Sequence, residues 1–322
     1  MPTLRSPRIK VGITMGDPSG IGPIITSKAM HQLKGLADFT IIGDKWVFNQ
    51  AAGRRPQAAS GKFIDLNNVS HKNFSFGKIK AEYGRASIEY LDKALALIKS
   101  KDIDCLVTCP ISKESIKMGG FKFPGHTEYL AHSTHAEDFV MMLLNKDLKI
   151  SLVTRHISLR DVPLKINPDR IRKTILLTHR SLKELFLIRN PRLVVCGLNP
   201  HASDNGLMGN EENRIIKPAL KRLARKIKYL DGPLAADVAI VKARQKDYDC
   251  IIAMYHDQAL IPLKILDALT GVNITLGLGF IRTSPLHGTA FDIAKNFTLA
   301  NPHSLIEAIR LAVRCTSNLR KV

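Results

Sequence analysis

An α/β fold with largely parallel sheets is what this sequence predicts, and two observations predict it. Short apolar, β-branched runs alternate with longer helix-period segments, and a 322-residue chain that is 45% hydrophobic can bury a large core. The strand-like runs are IKVGITM (9–15), DFTIIGD (38–44), DIDCLVT (102–108), DFVMMLL (138–144), LKISLVT (148–154), PRLVVCGL (191–198) and YDCIIAMY (248–255). Ile88, Leu91, Leu95 and Ile98 recur at spacings of three and four, which marks one face of a helix. DFVMMLL and LKISLVT lie close enough in sequence to form an antiparallel hairpin. Residues 51–63, AAGRRPQAASGKF, carry no period and read as a surface loop. No repeat or low-complexity tract occurs, and no linker divides the chain, so if there are two domains the polypeptide crosses between them more than once.

Forty-eight Lys and Arg against 28 Asp and Glu give a formal charge of +20, which attracts nucleic acid, anionic membrane or phosphorylated metabolites. Much of the excess sits in NRIIKPALKRLARKIK (213–228). There Arg214, Lys217, Lys221, Arg222, Arg225 and Lys228 interleave with Ile215, Ile216, Leu220 and Leu223. The spacing is that of a solvated helix face, and without interleaved aromatics or a nucleic-acid motif it argues against a nucleic-acid partner. The five cysteines are an odd number without a CxxC pair and read as reduced core thiols. The chain shows no signal-peptide core and no uninterrupted apolar stretch of ~18 residues, so a soluble cytoplasmic protein without membrane contact is expected.

In parallel sheets, ligand-binding residues gather where strands end, so the polar breaks after the apolar runs matter most. ITMGDPSGIGP enters a loop with Gly16, Gly20 and Gly22; it matches neither GxGxxG nor a P-loop, and reads either as a phosphate contact or as a structural turn. In VTCPISKESIKMGGFKFPGHTEYLA, His126 and Thr127 read either as a donor pair for a polar ligand or as a helix cap beside an exposed imidazole. His156, His201 and His256 each follow an apolar run at a strand end. Three neutral imidazoles suit Zn or a related divalent ion with positions left for substrate or water, while each one singly also reads as a solvent-facing or core histidine. Asp237 and Asp257 are nearby carboxylates, as ligands or as acceptors that orient a ring. Lys264, Asn273 and Arg282 offer donors for carboxylate or phosphate, and Gly271, Gly277, Gly279 and Gly288 permit close backbone approach.

Five segments, GDPSGIGP, FPGHTEYLA, GLNPHA, YHDQALIPLK and VNITLGLGFIRTS with HGTAFDIA, together resemble the 4-hydroxythreonine-4-phosphate dehydrogenase family of pyridoxal phosphate biosynthesis. The match runs in order from about residue 11 to 294. The resemblance implies two α/β/α lobes like those of isocitrate and isopropylmalate dehydrogenases, with a cleft between them. The expected first lobe is 1–128 plus 265–322, carrying cofactor-binding loops, and the second is 129–264, carrying metal ligands and dimer contacts. It also implies a homodimer with shared active sites, and NAD, or alternatively NADP, held by loops that include Gly277, His287 and Gly288. A divalent metal, Zn, Mg or Co, falls on His156, His201 and His256, and the phosphorylated substrate on His126, Thr127, Lys264, Asn273 and Arg282. The implied reaction is oxidation of 4-phosphohydroxy-L-threonine at C3 followed by decarboxylation; the residues offer Asp237, Asp257 and Lys264 as candidates for the general base. The alternatives are a paralogue acting on phosphorylated threonate or a cis-dihydrodiol and, more remotely, a nucleic-acid-binding protein. Leu286 stands where the family commonly has an acidic residue, and 295–299 departs from its pattern, which bears on cofactor binding.

Overall fold

The computed structural model describes residues 8–53, 61–123 and 125–322. Residues 54–60 of the expected surface loop, and Pro124 of FPGHTEYLA, lie outside the described residues. The chain forms two compact units, one running up to His135 and resuming at Leu278–Arg320, the other comprising Ala136–Gly277.

The first unit is built from β1 (Lys10–Thr14), α1 (Gly22–Gln32), β2 (Asp38–Gly43), α2 (Lys45–Ala52), β3 (Gly61–Asp65), α3 (Ala81–Lys99), β4 (Cys105–Thr108), α4 (Lys113–Met118) and α5 (His126–Ser133). The second contains β5 (Val140–Leu144), β6 (Lys149–Leu152), α6 (Val162–Lys165), α7 (Pro168–Phe186), β7 (Leu193–Cys196), α8 (Lys217–Leu223), β8 (Leu230–Leu234), α9 (Ala236–Arg244), β9 (Cys250–Ala253), α10 (His256–Asp267) and β10 (Val272–Leu276). The chain then returns to the first unit with β11 (Ile281–Pro285) and α11 (His303–Leu319).

In the first unit the strands run in the order β3-β2-β1-β4-β11, and every pair is parallel. Both faces are covered by helices, which is why Ile13, Ile41 and Val107 on one face and Ile42 and Leu106 on the other are fully buried. Each such side chain contributes roughly 1.5–3 kcal/mol on leaving water. Helix α3 keeps Ile88 and Leu91 at zero exposure, while Leu95 and Ile98 are half-buried. Tyr83, Ser87, Tyr90, Ala94 and Leu97 carry the buried face along the whole helix, and Leu95 and Ile98 lie outside that row.

The second unit has the order β10-β5-β6-β9-β7-β8. The expected hairpin is present as the antiparallel pair β5 and β6, with Met142 opposite Ser151. From β6 through β9 and β7 to β8 all pairs are parallel. Four strand ends therefore face the same way.

Four strands escape an apolar-run reading. β3 (GKFID) and β8 (LDGPL) flank their sheets and are only partly buried, and Pro233 in β8 pairs on one side alone. β10 (VNITL) and β11 (IRTSP) are buried throughout yet rich in polar residues. The expected lobes change over at 128/129 and 264/265, whereas the units change over at 135/136 and 277/278. Helix α5 stays with the first unit because Tyr129 hydrogen-bonds Asp92 of α3. Residues 265–277 stay with the second because α10 continues to Asp267 and β10 ladders onto β5.

All five cysteines are buried and free, with each thiol pushed up to about 12 by burial. The cations of the basic segment 213–228 are all exposed, with Ile216, Leu220 and Leu223 turned inward, as a solvated face requires. No described helix is long and apolar enough to cross a membrane.

Candidate active site

In the first unit the strand order reverses between β1 and β4, the place where open α/β sheets hold ligands. The loops leaving those two strands meet there. Asp17 N donates to the Pro110 carbonyl at 2.9 Å, and a Cβ on Gly16, at φ +71°, would lie 2.2 Å from that oxygen, so only glycine fits. Asp17 itself is fully buried, and its Oδ1 accepts from Ser19 N at 2.9 Å. Burial raises its pKa to about 6, although the hydrogen bond from Ser19 N favours the charged form. Of the two readings of this glycine-rich break, the geometry supplies a structural reason for the turn. The loop also bears on the HGTA segment, since Ile21 N donates to the Thr289 carbonyl at 3.0 Å.

Helix α5 opens at His126 behind Gly125, whose missing side chain leaves the cap unfilled. Thr127 is therefore not the cap; it is buried in the first turn, where backbone N–H groups have no helical partner. The His126 Nε2 is buried without a hydrogen-bond partner. Burial, and secondarily the positive charge of Arg282, hold its pKa well below the ordinary histidine value, so the ring is neutral. Arg282, on β11, is 2% exposed and donates from Nη2 to Thr108 Oγ1 at 2.6 Å. Desolvation lowers its pKa to about 10, opposed by Glu128, which still leaves the guanidinium charged at neutral pH. A buried guanidinium, a neutral imidazole and a helix N-terminus are groups whose chemistry suits an oxyanion.

His287 shares its Nδ1 with the Gly288 carbonyl at 3.0 Å, and its Nε2 is buried without a partner. Burial lowers its pKa as well. Gly288 has open space where a Cβ would stand. The divergent segment after it is tied down by Lys28, which donates to the carbonyls of Phe297 at 2.6 Å and Ala300 at 2.7 Å. That contact gives 297–300 a defined path.

In the second unit, β6, β9, β7 and β8 deliver His156, His256, His201 and Asp237 in that spatial order along one sheet edge. The rings of His156 and His256 approach to 5.3 Å between centroids. His256 begins α10, and its Nδ1 lies 2.7 Å from Asp257 Oδ1, a contact that orients the imidazole ring. His201 is exposed in a segment whose residues 201–205 all have left-handed φ, between 43° and 68°. Such conformations cost ~1–2 kcal/mol per non-glycine residue. Among the described residues, no group of three or more His, Cys, Asp or Glu is placed to hold a metal ion. The structure thus brings His156 and His256 together and leaves His201 at the neighbouring strand end. The imidazole pair and its Asp257 acceptor fit a divalent cation in donor chemistry, with the third ligand outside the pair.

Asp237 is exposed in the first turn of α9. Lys264 is exposed farther along α10, and Asn273 is buried on β10 with its Oδ1 unpartnered. Gly277 has a packing reason of its own: a Cβ there would meet the Asp138 carbonyl at 2.4 Å. Arg155, which precedes His156, stacks over Phe139 at 4.2 Å and so braces the loop against the start of β5.

The family description "Pyridoxal phosphate biosynthetic protein PdxA" matches residues 24–312. The chain belongs to this family. A 4-hydroxythreonine-4-phosphate dehydrogenase of Sulfurihydrogenibium sp. is 44% identical, over 95% of this chain and 98% of that protein. A D-threonate 4-phosphate dehydrogenase of Cupriavidus necator is 41% identical, over 93% and 95%. The crystal structure of a 4-hydroxythreonine-4-phosphate dehydrogenase from Klebsiella pneumoniae superposes with a TM-score of 0.84 at 34% identity, covering 98% of this chain and 99% of that one. Fold and family agree with the sequence motifs, and the chain is a dehydrogenase of the pyridoxal phosphate biosynthetic family. The motifs mark the histidines but not Asp17 and Thr108, whose contacts cross the sheet. Asp17 lies within GDPSGIGP, where a carboxylate flanked by glycines is the available signal.

Proposed function

We propose that the chain oxidises 4-phosphohydroxy-L-threonine at C3 with NAD, or alternatively NADP, and that the 2-amino-3-oxo acid so formed loses carbon dioxide to give 3-amino-2-oxopropyl phosphate. The observation that carries the substrate class is the buried Arg282 guanidinium with the unpartnered His126 Nε2 at the start of α5. A phosphate accepts charge-assisted bonds from Arg282 and from first-turn N–H groups, and a neutral His126 donates without adding a second charge to the same pocket. Thr127 sets the first turn, and Lys264 and Asn273 are assigned to the remaining polar groups of the substrate. His287, Gly288 and Gly277 are assigned to the cofactor, for which the unfilled His287 Nε2 and the space at Gly288 speak.

His156, His201 and His256 would hold a divalent cation, Zn, Mg or Co. When bound, the cation supplies Lewis-acid stabilisation of charge on the C3 oxygen, and the nicotinamide accepts the hydride. Asp257 orients the His256 ring, and proton removal from the C3 hydroxyl is assigned to Asp257 or Asp237 at the same sheet edge.

The chain is proposed to act as a homodimer in the cytoplasm. Helices α9 and α10 each leave apolar side chains exposed, Val238 and Val241 on one and Ile261 and Ile265 on the other, of the kind that oligomers cover, and five buried free thiols suit a reducing compartment.

A second reading is supported by the Cupriavidus relative: D-threonate 4-phosphate would satisfy the same phosphate grip and differs at C2. The deciding measurement is NAD reduction with each substrate, with and without a chelator. Faster turnover and carbon dioxide release with the amino substrate, abolished by chelator and restored by Zn, Co or Mg, is expected. Preference for the threonate would replace the substrate assignment, and chelator-resistant turnover would remove the metal.

A further inference from the structure

We propose that Gln258 and Glu212 are positioning residues that fix the spacing of the three strand ends carrying His156, His256 and His201. The proposal rests on the reading that these histidines hold a divalent cation.

Past the last ladder bonds of parallel strands, backbone groups must find other partners. Here they find one another through two side chains. Thr154, just before His156, donates to the Met254 carbonyl from its N–H at 3.1 Å and from its hydroxyl at 2.6 Å. Met254 N donates to Gln258 Oε1 at 2.7 Å, and Gln258 Nε2 donates to the Gly197 carbonyl at 2.9 Å. Gln258 is 8% exposed. Immediately beyond Gly197, the N–H groups of Leu198 and Asn199 both donate to Glu212 Oε1 at 2.8 Å. Asn199 Nδ2 donates to Glu212 Oε2 at 2.9 Å and to Glu211 Oε2 at 2.8 Å. Glu212 has no exposed surface.

The bonds form one continuous path from the His156 strand to the His256 strand and on to the base of the His201 loop. Each histidine then stands only two residues from an anchored backbone: Thr154 for His156, Met254 for His256, Asn199 for His201. An amide is the side chain this path requires at position 258, because one group must accept from one strand end and donate to the next. A carboxylate there would face the Gly197 carbonyl, and a thioether would leave both backbone groups buried and unpaired. At 212 a carboxylate can accept three N–H bonds at once without rotating.

The test is titration of metal-free protein with cobalt(II), read by visible d–d absorption and by calorimetric affinity. It compares wild type with Gln258→Met, Gln258→Glu and Glu212→Gln, and a metal-free thermal melt runs alongside. Wild type is expected to bind one cobalt ion per chain. Gln258→Met is expected to weaken cobalt about tenfold or more and to change the d–d band, as loss of groups supporting ligands does, with Gln258→Glu between the two. Unaltered affinity and band in folded variants overturn this proposal alone. So does a loss of cobalt binding that merely follows the fraction of protein unfolded in the melt. Absence of cobalt uptake by the wild type overturns the metal reading and this proposal with it.

Discussion

At Asp17 a carboxyl group is held where water does not reach, below a loop whose backbone is tied to Pro110 on one side and, through Ile21, to Thr289 on the other. Folded, it keeps its proton up to about pH 6; unfolded, it loses it near 3.8. Between those values the folded state binds more protons than the unfolded state, so stability falls as pH rises through about 4 to 6 and stays lower above. The two-unit shift corresponds to ~3 kcal/mol. Asp17→Asn keeps an acceptor for Ser19 N and removes the charge. The variant is expected to be more stable than wild type at pH 8 by up to ~3 kcal/mol, with the difference vanishing towards pH 4, in urea unfolding across pH. A difference independent of pH would show that the charge is not its cause. The sequence displays Asp17 among glycines, but its burial comes from the β4 loop, far away in the chain.

Helices and strands were legible wherever one period dominates. The seven apolar runs became β1, β2, β4, β5, β6, β7 and β9, since continuous apolar character is what a strand covered on both faces needs. CIIAMYHDQALIPLK shows where that reading ends. Its polar break is the start of α10, and its second apolar run is helical through Pro262, with Ala259 and Leu263 inward and Ile261 and Ile265 outward. Gly84 illustrates a constraint invisible to periodicity: within α3, a Cβ would stand 1.9 Å from the Ser115 carbonyl of α4. Backbone cannot yield as a side-chain tip can, so Gly84→Ala is expected to cost ~1–3 kcal/mol despite the better helix propensity of alanine. A lowered urea midpoint at unchanged slope would register it; an unchanged or raised midpoint would contradict the close approach.

For the whole molecule, the +20 charge is spread over exposed helix faces such as 213–228, while α9 and α10 carry the outward apolar side chains on which the proposed dimer rests. Ile265, at 78% exposure, contributes little to the fold of its own unit. Ile265→Glu should therefore leave the melting temperature of the separated chain nearly unchanged and convert a dimer, at twice the 35.7 kDa chain mass, into a monomer. Light scattering decides it, and a wild type that is already monomeric would dismiss the dimer. By itself the sequence determined the α/β class, the breaks at which chemistry gathers and the family, because these depend on local period and on contiguous motifs. Tertiary structure alone decided that His156 meets His256, that Gln258 joins Met254 to Gly197, and that Asp17 is buried. Each of those depends on hydrogen bonds and exclusion of water between segments distant in the chain, which local pattern does not encode.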